Sequence, residues 1–172
     1  MRTSRLLLRR PDADDAENLF AIYGDPRTNA YNPHGPYPNL DRAKTVLATW
    51  ITHWEQHGFG QWAISSADQP EKIIGYGGLA LKMYGDKDTL NLGYRFGVDS
   101  WGNGYATEFA TETLRYAFAD LNAPDVSALV RPLNTPSIRV LEKIGMNKIG
   151  ILEDEPSVPR GRYSLLYHAE HS

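Results

Sequence analysis

The stretch Asn91–Leu121, NLGYRFGVDSWGNGYATEFATETLRYAFADL, decides the fold, because it holds a strand, a glycine-rich turn and a long amphipathic helix in that order. The strand candidate ends near Val98, and the turn is Asp99-Ser100-Trp101-Gly102-Asn103-Gly104. Beyond it Ala106, Phe109, Ala110, Thr113, Leu114, Ala117, Phe118 and Leu121 recur at helical spacing, which marks one face for a core. A glycine turn that opens a helix leaves the first N–H groups unpaired and adds the positive end of the helix dipole. It is a ready site for a phosphate or pyrophosphate. The same glycines also suit a tight connection that needs positive φ and binds nothing.

Two nucleotide motifs come close and fail. Gly97 to Gly102 has the spacing of a phosphate loop, but Asn103-Gly104 stands where Lys and Ser/Thr belong, which disfavours ATP. Gly102-Asn103-Gly104 opens a dinucleotide fingerprint, yet position 107 is Thr and the preceding segment is hairpin-like, which disfavours NAD.

The chain has 172 residues, 41% of them apolar, enough for one core, so a single domain over residues 1–172 is expected. A formal net charge of −3 gives no case for nucleic acid or for general membrane attraction. Cysteine is absent, which excludes disulfides, thiolate metal sites and a cysteine nucleophile; no metal is expected. The N-terminal MRTSRLLLRRPDADD has too short an apolar run for a signal segment, and no stretch approaches membrane length. A soluble cytoplasmic protein follows as the expectation, monomer or homodimer.

Leu6 to Arg10 reads as a strand stopped by Pro11. Asp12 then caps a helix whose apolar residues are Ala16, Leu19, Phe20 and Tyr23. Arg27 to Pro38, rich in proline and with Tyr31 and Tyr37, reads as an irregular stiff loop that forms one wall of a pocket or a plain connection. A second helix follows, capped by Asn39 or Asp41 and stopped at Gly58, with Trp50 and Trp54 on its buried stripe. Gln61–Ser65, Lys72–Leu81 and Thr89–Val98 form a meander, joined by Asp68-Gln69-Pro70 and Gly85-Asp86-Lys87-Asp88. Its glycines suggest bulges or close backbone approach, and a bulge near Gly97 would splay the third strand from its next neighbour. Val126–Arg131 is a further strand, parallel to the third because a helix separates them. A short helix begins at Asn134-Thr135-Pro136-Ser137 and closes at Gly145; Asn147–Leu152 and Arg162–His168 form the last hairpin.

Trp101-Gly102-Asn103-Gly104-Tyr105-Ala106 resembles motif A of the GNAT superfamily of acyl-CoA-dependent N-acetyltransferases, whose loop reads R/Q-x-x-G-x-G/A. Trp101 departs from Arg/Gln, in a W-G-x-G-Y-A-T-E form similar to the branch of ribosomal-protein N-terminal (alanine/serine) acetyltransferases. Asn134–Met146, NTPSIRVLEKIGM, is similar to motif B of that branch, in the right order and one strand later. The resemblance implies an α+β fold: a mixed, mostly antiparallel sheet of six to seven strands, about four flanking helices, and splayed central strands that form an acetyl-CoA slot.

It further implies that Gly102, Asn103, Gly104, Tyr105, Ala106 and Thr107 bind the pyrophosphate, and that Phe96, Gly97 and Val98 pair with pantetheine and supply an oxyanion donor. Asn134 would bond the pantetheine arm, Arg139 a CoA phosphate, and Ser137 would act as the acid that protonates the leaving thiolate, with Tyr105 or Tyr167 as weaker candidates. On the residues alone, Asn134 or Thr135 is a helix cap, Ser137 a first-turn serine and Arg139 a solvated face. The reaction itself needs little more than proximity, an oxyanion donor and that acid, because a neutral amine attacks the acetyl thioester directly.

Many relatives carry a glutamate as base just before L/I-G-Y on the third meander strand; here Asn91 holds that place. His34, in the stiff loop, has a suitable unperturbed pKa of ~6.5, and Glu153 and Glu155 lie on an acidic run that could draw in a cationic amine. Tyr31, His34 and Glu153 are the acceptor-binding candidates; each also reads as an ordinary surface residue. A protein α-amine (pKa ~7.8) costs roughly 3.5 kcal/mol less to deprotonate at neutral pH than a lysine amine (~10.4), so a missing base favours α-amines. The acceptor expected is a protein N-terminus or a small amine. The alternative is an acetyl-CoA-binding sensor without turnover, for which Asn91 speaks.

Overall fold

The computed structural model describes residues 1–84, 87–154 and 163–171. Its elements, in chain order, are β1 (Leu6–Arg9), α1 (Ala16–Tyr23), α2 (Leu40–His57), β2 (Gln61–Ser66), β3 (Gln69–Tyr84), β4 (Lys87–Phe96), α3 (Tyr105–Ala119), β5 (Asp125–Val130), α4 (Thr135–Lys143), β6 (Asn147–Glu153) and β7 (Tyr163–Glu170). Short 3-10 turns cover Ala13–Asp15, Pro26–Asn29 and Val98–Ser100. Seven strands form one sheet in the order β1-β2-β3-β4-β5-β7-β6. The recorded pairs are antiparallel except β4 with β5. This is the mixed α+β arrangement expected of the sequence, at the upper end of the strand count. The chain divides into two compact units: Met1–Ala30, His34–Gly78 and Tyr94–Tyr105 in the first, and Tyr31–Pro33, Leu79–Gly93 and Ala106–Ser172 in the second.

In the first unit the caps are those the sequence announces. Asp12 accepts from the Asp14 N–H at 3.0 Å while the Asp15 carboxylate accepts from the Asp12 N–H at 2.9 Å, a reciprocal capping box. Asn39 accepts from the Arg42 N–H and starts α2, and Gly58 ends it. Leu19, Ala43, Leu47, Ala63 and Tyr76 form the core, with Trp50 half-buried against it and Trp54 buried. Each fully buried leucine contributes about 1.5–3 kcal/mol. A Cβ at Gly78 would stand 2.0 Å from the Gly60 carbonyl oxygen, so β2 and β3 approach here only because the side chain is missing.

Several boundaries differ from the sequence reading, among them Lys87 and Asp88, which belong to β4 and not to the turn before it. The loop after α1 is regular at its start: Asp25 caps the 3-10 turn Pro26–Asn29, with proline in the first turn, where its missing N–H costs nothing. Gln69 and Pro70 belong to β3, so the β2–β3 connection is shorter than expected. The third meander strand ends at Phe96 and not at Val98, which already lies in a 3-10 turn. Gly85, Asp86 and Arg162 lie outside the described residues.

In the second unit β4 pairs in parallel with β5 at Leu90↔Val126 and Asn91↔Ser127. β5 pairs with β7 along its whole length, from Asp125↔Glu170 to Val130↔Leu165, and β7 continues the hairpin with β6. Phe109, Ala110, Thr113, Leu114 and Ala117 are the buried face of α3, as the periodicity predicts.

Candidate functional site

The glycine turn lies in the first unit and is built by backbone geometry. Gly102 and Gly104 have φ of +78° and +76°, a region L side chains rarely enter, so both positions require glycine for conformation alone. Asn103 donates its side-chain amide to the Ser100 and Trp101 carbonyls at 3.1 and 3.2 Å, which pins the turn from within. The exposed Trp101 anchors itself by an indole N–H bond of 3.0 Å to the Phe96 carbonyl. An exposed aromatic here is therefore also a brace between the strand end and the turn.

Arg5, just before β1, meets this turn and was not singled out from the sequence. It donates to the Asn103 carbonyl at 2.9 Å, its guanidinium lies 5.1 Å over the Tyr105 ring, and a Cβ at Gly104 would sit 3.6 Å from its terminal nitrogen. Nothing local marks Arg5, because the turn its side chain meets lies about a hundred residues along the chain, with Asn103 98 positions away. The turn thus offers amide donors at the first turn of a helix, open backbone at Gly102, where a Cβ would meet nothing within 4 Å, and a cation beside it. These groups fit an anionic diphosphate.

Upstream, Gly97 keeps ordinary extended backbone, with φ −62° and ψ 148°, and donates its N–H to the Ile74 carbonyl at 2.8 Å. That N–H is committed, which removes Gly97 from the oxyanion donors expected of Phe96 to Val98. Successive residues of a strand alternate edges, so the Phe96 amide, the last of β4, points away from Ile74. Val98 N–H opens the 3-10 turn and has no partner within it.

In the second unit, Asn134 caps α4 by accepting from the Ser137 N–H at 3.3 Å, so the capping role read from the residues is present. Ser137 is half-buried in the first turn and Arg139 is exposed, as is Thr135. Ala106 and Thr107 follow the turn as the first residues of α3 in this unit.

The proton-transfer candidates divide clearly. Asn91 is buried, and its side-chain oxygen accepts from the Tyr84 hydroxyl at 2.5 Å. Burial, with the nearby Asp154 charge, pushes the Tyr84 phenol well up. This pair is neutral and internally satisfied, so no base stands at the family position. Tyr167 is buried and donates to a Glu142 carboxylate oxygen at 3.1 Å, which, after burial itself, raises its pKa and commits its proton. Asp154 of the acidic run is held by Arg131 at 2.9 Å and by the Ser164 hydroxyl at 3.0 Å. Glu153, Tyr31 and His34 are exposed; Glu155 lies outside the described residues. Among the described residues no group of three His, Asp or Glu side chains comes together as a metal set. Nor is any helix among them long and apolar enough to cross a membrane.

A model of the acetyltransferase (GNAT) domain matches residues 5–147. The N-acetyltransferase p20 of Bacillus licheniformis, itself uncharacterised, is 28% identical over 152 residues, 88% of this chain and 84% of its own. The crystal structure of a GNAT-family acetyltransferase from Bacillus anthracis shares the fold at a TM-score of 0.83 and 23% identity, covering 99% of this chain and 98% of that one. A spermidine N-acetyltransferase from Vibrio cholerae, solved with CoA and spermine, aligns at a TM-score of 0.77 and 19% identity over 98% and 97% of the two chains. The chain belongs to the GNAT acetyltransferase family, whose members are N-acetyltransferases that use acetyl-CoA as acyl donor.

Proposed function

We propose that the chain, read as one acetyltransferase domain over residues 1–172, transfers the acetyl group of acetyl-CoA to an α-amine or other small primary amine. The observation that carries this reading is the glycine turn: two positive-φ glycines lie directly before α3 with the Arg5 guanidinium beside them, a setting that suits a diphosphate. In this reading Gly102, Asn103, Gly104, Tyr105, Ala106 and Thr107 hold the diphosphate, and Phe96 and Val98 pair with the pantetheine arm. The Val98 N–H stabilises the oxyanion, because the neighbouring Gly97 N–H is already spent on Ile74.

Asn134 keeps its side-chain oxygen on the helix cap and offers the amide N–H to pantetheine. Arg139, exposed on α4, takes a CoA phosphate, and Ser137 protonates the departing thiolate. The amine must arrive neutral or lose its proton to water, since a buried amide bonded to a neutral phenol replaces the usual carboxylate at Asn91. That supports acceptors of lower amine pKa, with Tyr31, His34 and Glu153 as surface candidates for guiding them. The motif form favours the ribosomal-protein N-terminal branch, while the Vibrio relative acts on a polyamine; fold alone does not choose an acceptor. The work is expected to take place in the cytoplasm.

The test is thiol release from acetyl-CoA against a panel of N-terminal peptides, amino acids and polyamines. Amine-dependent release supports the transferase. Tight acetyl-CoA binding with no release from any acceptor class contradicts it.

A further inference from the structure

Within the first unit, β4 carries a second arginine, Arg95, which the donor site proposed above does not include. Arg95 is half-buried, and its guanidinium lies 4.4 Å over the Tyr23 ring and donates to the Asn29 side-chain oxygen at 2.5 Å. Among the described residues no carboxylate lies within ion-pair distance of it. In the same unit Arg9 has Asp15 and Arg27 has Asp25, while Arg10 and Arg42, which lie over the Trp54 and Tyr37 rings, are exposed to water as Arg95 is not. Taking a guanidinium partly out of water without a counter-charge is unfavourable, and an amide oxygen with a ring face compensates only part of that.

The surroundings add positive character. The Arg95 charge faces the hydroxyls of both Tyr23 and Tyr37, and Arg42 lies 5.7 Å over the Tyr37 ring. Tyr23 and Tyr37 pack at 5.2 Å, joined by the Tyr37 N–H bond of 2.9 Å to the Tyr23 carbonyl, so the aromatic wall is held in place. The Asn29 amide is itself fixed on the Tyr23 and Asp25 carbonyls, at 2.8 Å each, which leaves its oxygen aimed at Arg95. Arg95 shares no partner with the glycine turn, where Arg5 supplies the cation. It precedes Phe96 and Val98, proposed above to pair with the pantetheine arm and, at Val98, to stabilise the oxyanion, by at most three residues, or roughly 10 Å of chain.

We infer that Arg95, backed by Asn29 and the Tyr23–Tyr37 wall, is a specificity-determining residue that receives a carboxylate on the acceptor, so that the acceptor is a compact amine bearing an acid group, as a free α-amino acid does. This rests on the acetyltransferase reading and narrows it: a polycationic amine would bring like charge to Arg95, and a bidentate guanidinium–carboxylate pair is the geometry an arginine serves best.

The experiment compares matched acceptors, free amino acids against their α-amides, with spermidine as polycation, and rates expressed per neutral amine. The protein is expected to prefer the carboxylate member by at least tenfold in kcat/KM. Arg95→Gln should bring each pair within about twofold, and Arg95→Lys should keep part of the preference. A turnover-free arm measures thermal stabilisation of the CoA-loaded protein by N-acetylglycine and by N-acetylglycinamide, with the acid expected to stabilise more. Equal binding or rates for acid and amide, a preference for spermidine, or an equal loss for both members in Arg95→Gln would overturn the proposal. Absence of stabilisation by acetyl-CoA itself, read beforehand on wild type and variants, would instead count against the donor site and the acetyltransferase reading.

Discussion

The two segments that carry the family resemblance are made by different physics. In the turn from Asp99 to Tyr105 the decisive feature is backbone conformation: φ near +77° at two glycines leaves no choice of residue. In the start of α4 the decisive residue, Asn134, is a helix cap by ordinary rules, and any contact with the acyl donor is added to that structural task. A residue needed for conformation can thus be separated from binding only through its neighbours, whereas a cap can be separated by choosing a substitute that caps but cannot donate. The same contrast orders the variants that follow.

Gly104→Val has the largest expected effect. A β-branched residue at φ +76° costs roughly 1–2 kcal/mol in conformation, and its side chain would stand where the proposed diphosphate approaches the backbone. Acetyl-CoA binding should weaken by about a hundredfold or more, which removes the ~2.7 kcal/mol of stabilisation a ligand provides at a hundred times its Kd. Calorimetry of binding reads this directly, and near-normal affinity would sever the turn from the donor.

Ser137→Ala comes next, with kcat expected to fall by roughly tenfold to a hundredfold and little change in Tm, since the side chain is only half-buried. Unchanged kcat with a leaving thiol of ordinary pKa would assign the proton to water. For Asn134 the comparison is a pair. Asn134→Ala should lower stability by about 1 kcal/mol through loss of the cap, while Asn134→Asp keeps the cap and loses only the amide donor. If both leave the KM for acetyl-CoA unchanged, the second segment is purely structural and the contrast between the two segments becomes absolute.

The smallest effect lies on the alkaline side of the stability curve. Tyr76 is fully buried beneath α1, its hydroxyl 3.3 Å from the Asp15 carbonyl, and burial first, then the Asp15 charge, raises its pKa far above 10. A group raised in the folded state gives stability that is whole below the unfolded pKa of ~10 and is lost as pH climbs beyond it, by up to about 1.4 kcal/mol per pH unit. Tyr76→Phe should flatten that limb in unfolding curves taken between neutral and strongly alkaline pH.

Much of this architecture could be read from local signals. Asp12, Asn39 and Gly58 sit at the helix ends their side chains or conformations demand, and the buried face of α3 follows from spacing alone. The 3-10 turn at Pro26–Asn29 was announced too, by Asp25-Pro26, but the density of prolines beyond it made the whole loop look irregular. What local reading misses is chemistry assembled from distant residues. Arg5 reaches Asn103 across 98 positions and Arg95 reaches Asn29 across 66, and neither has a neighbour in sequence that marks it. The spent N–H of Gly97 is likewise a matter of pairing, visible only once Ile74 is alongside.

The most direct measurement is a thermal-unfolding titration of the wild-type chain and Gly104→Val with acetyl-CoA, with ATP and NAD as controls. Stabilisation by acetyl-CoA alone, a rise of a few degrees at about a hundred times Kd, and its loss in Gly104→Val are the predicted results. An equal shift in both proteins, or none in the wild type at saturating acetyl-CoA, would contradict the assignment of the glycine turn as the donor site.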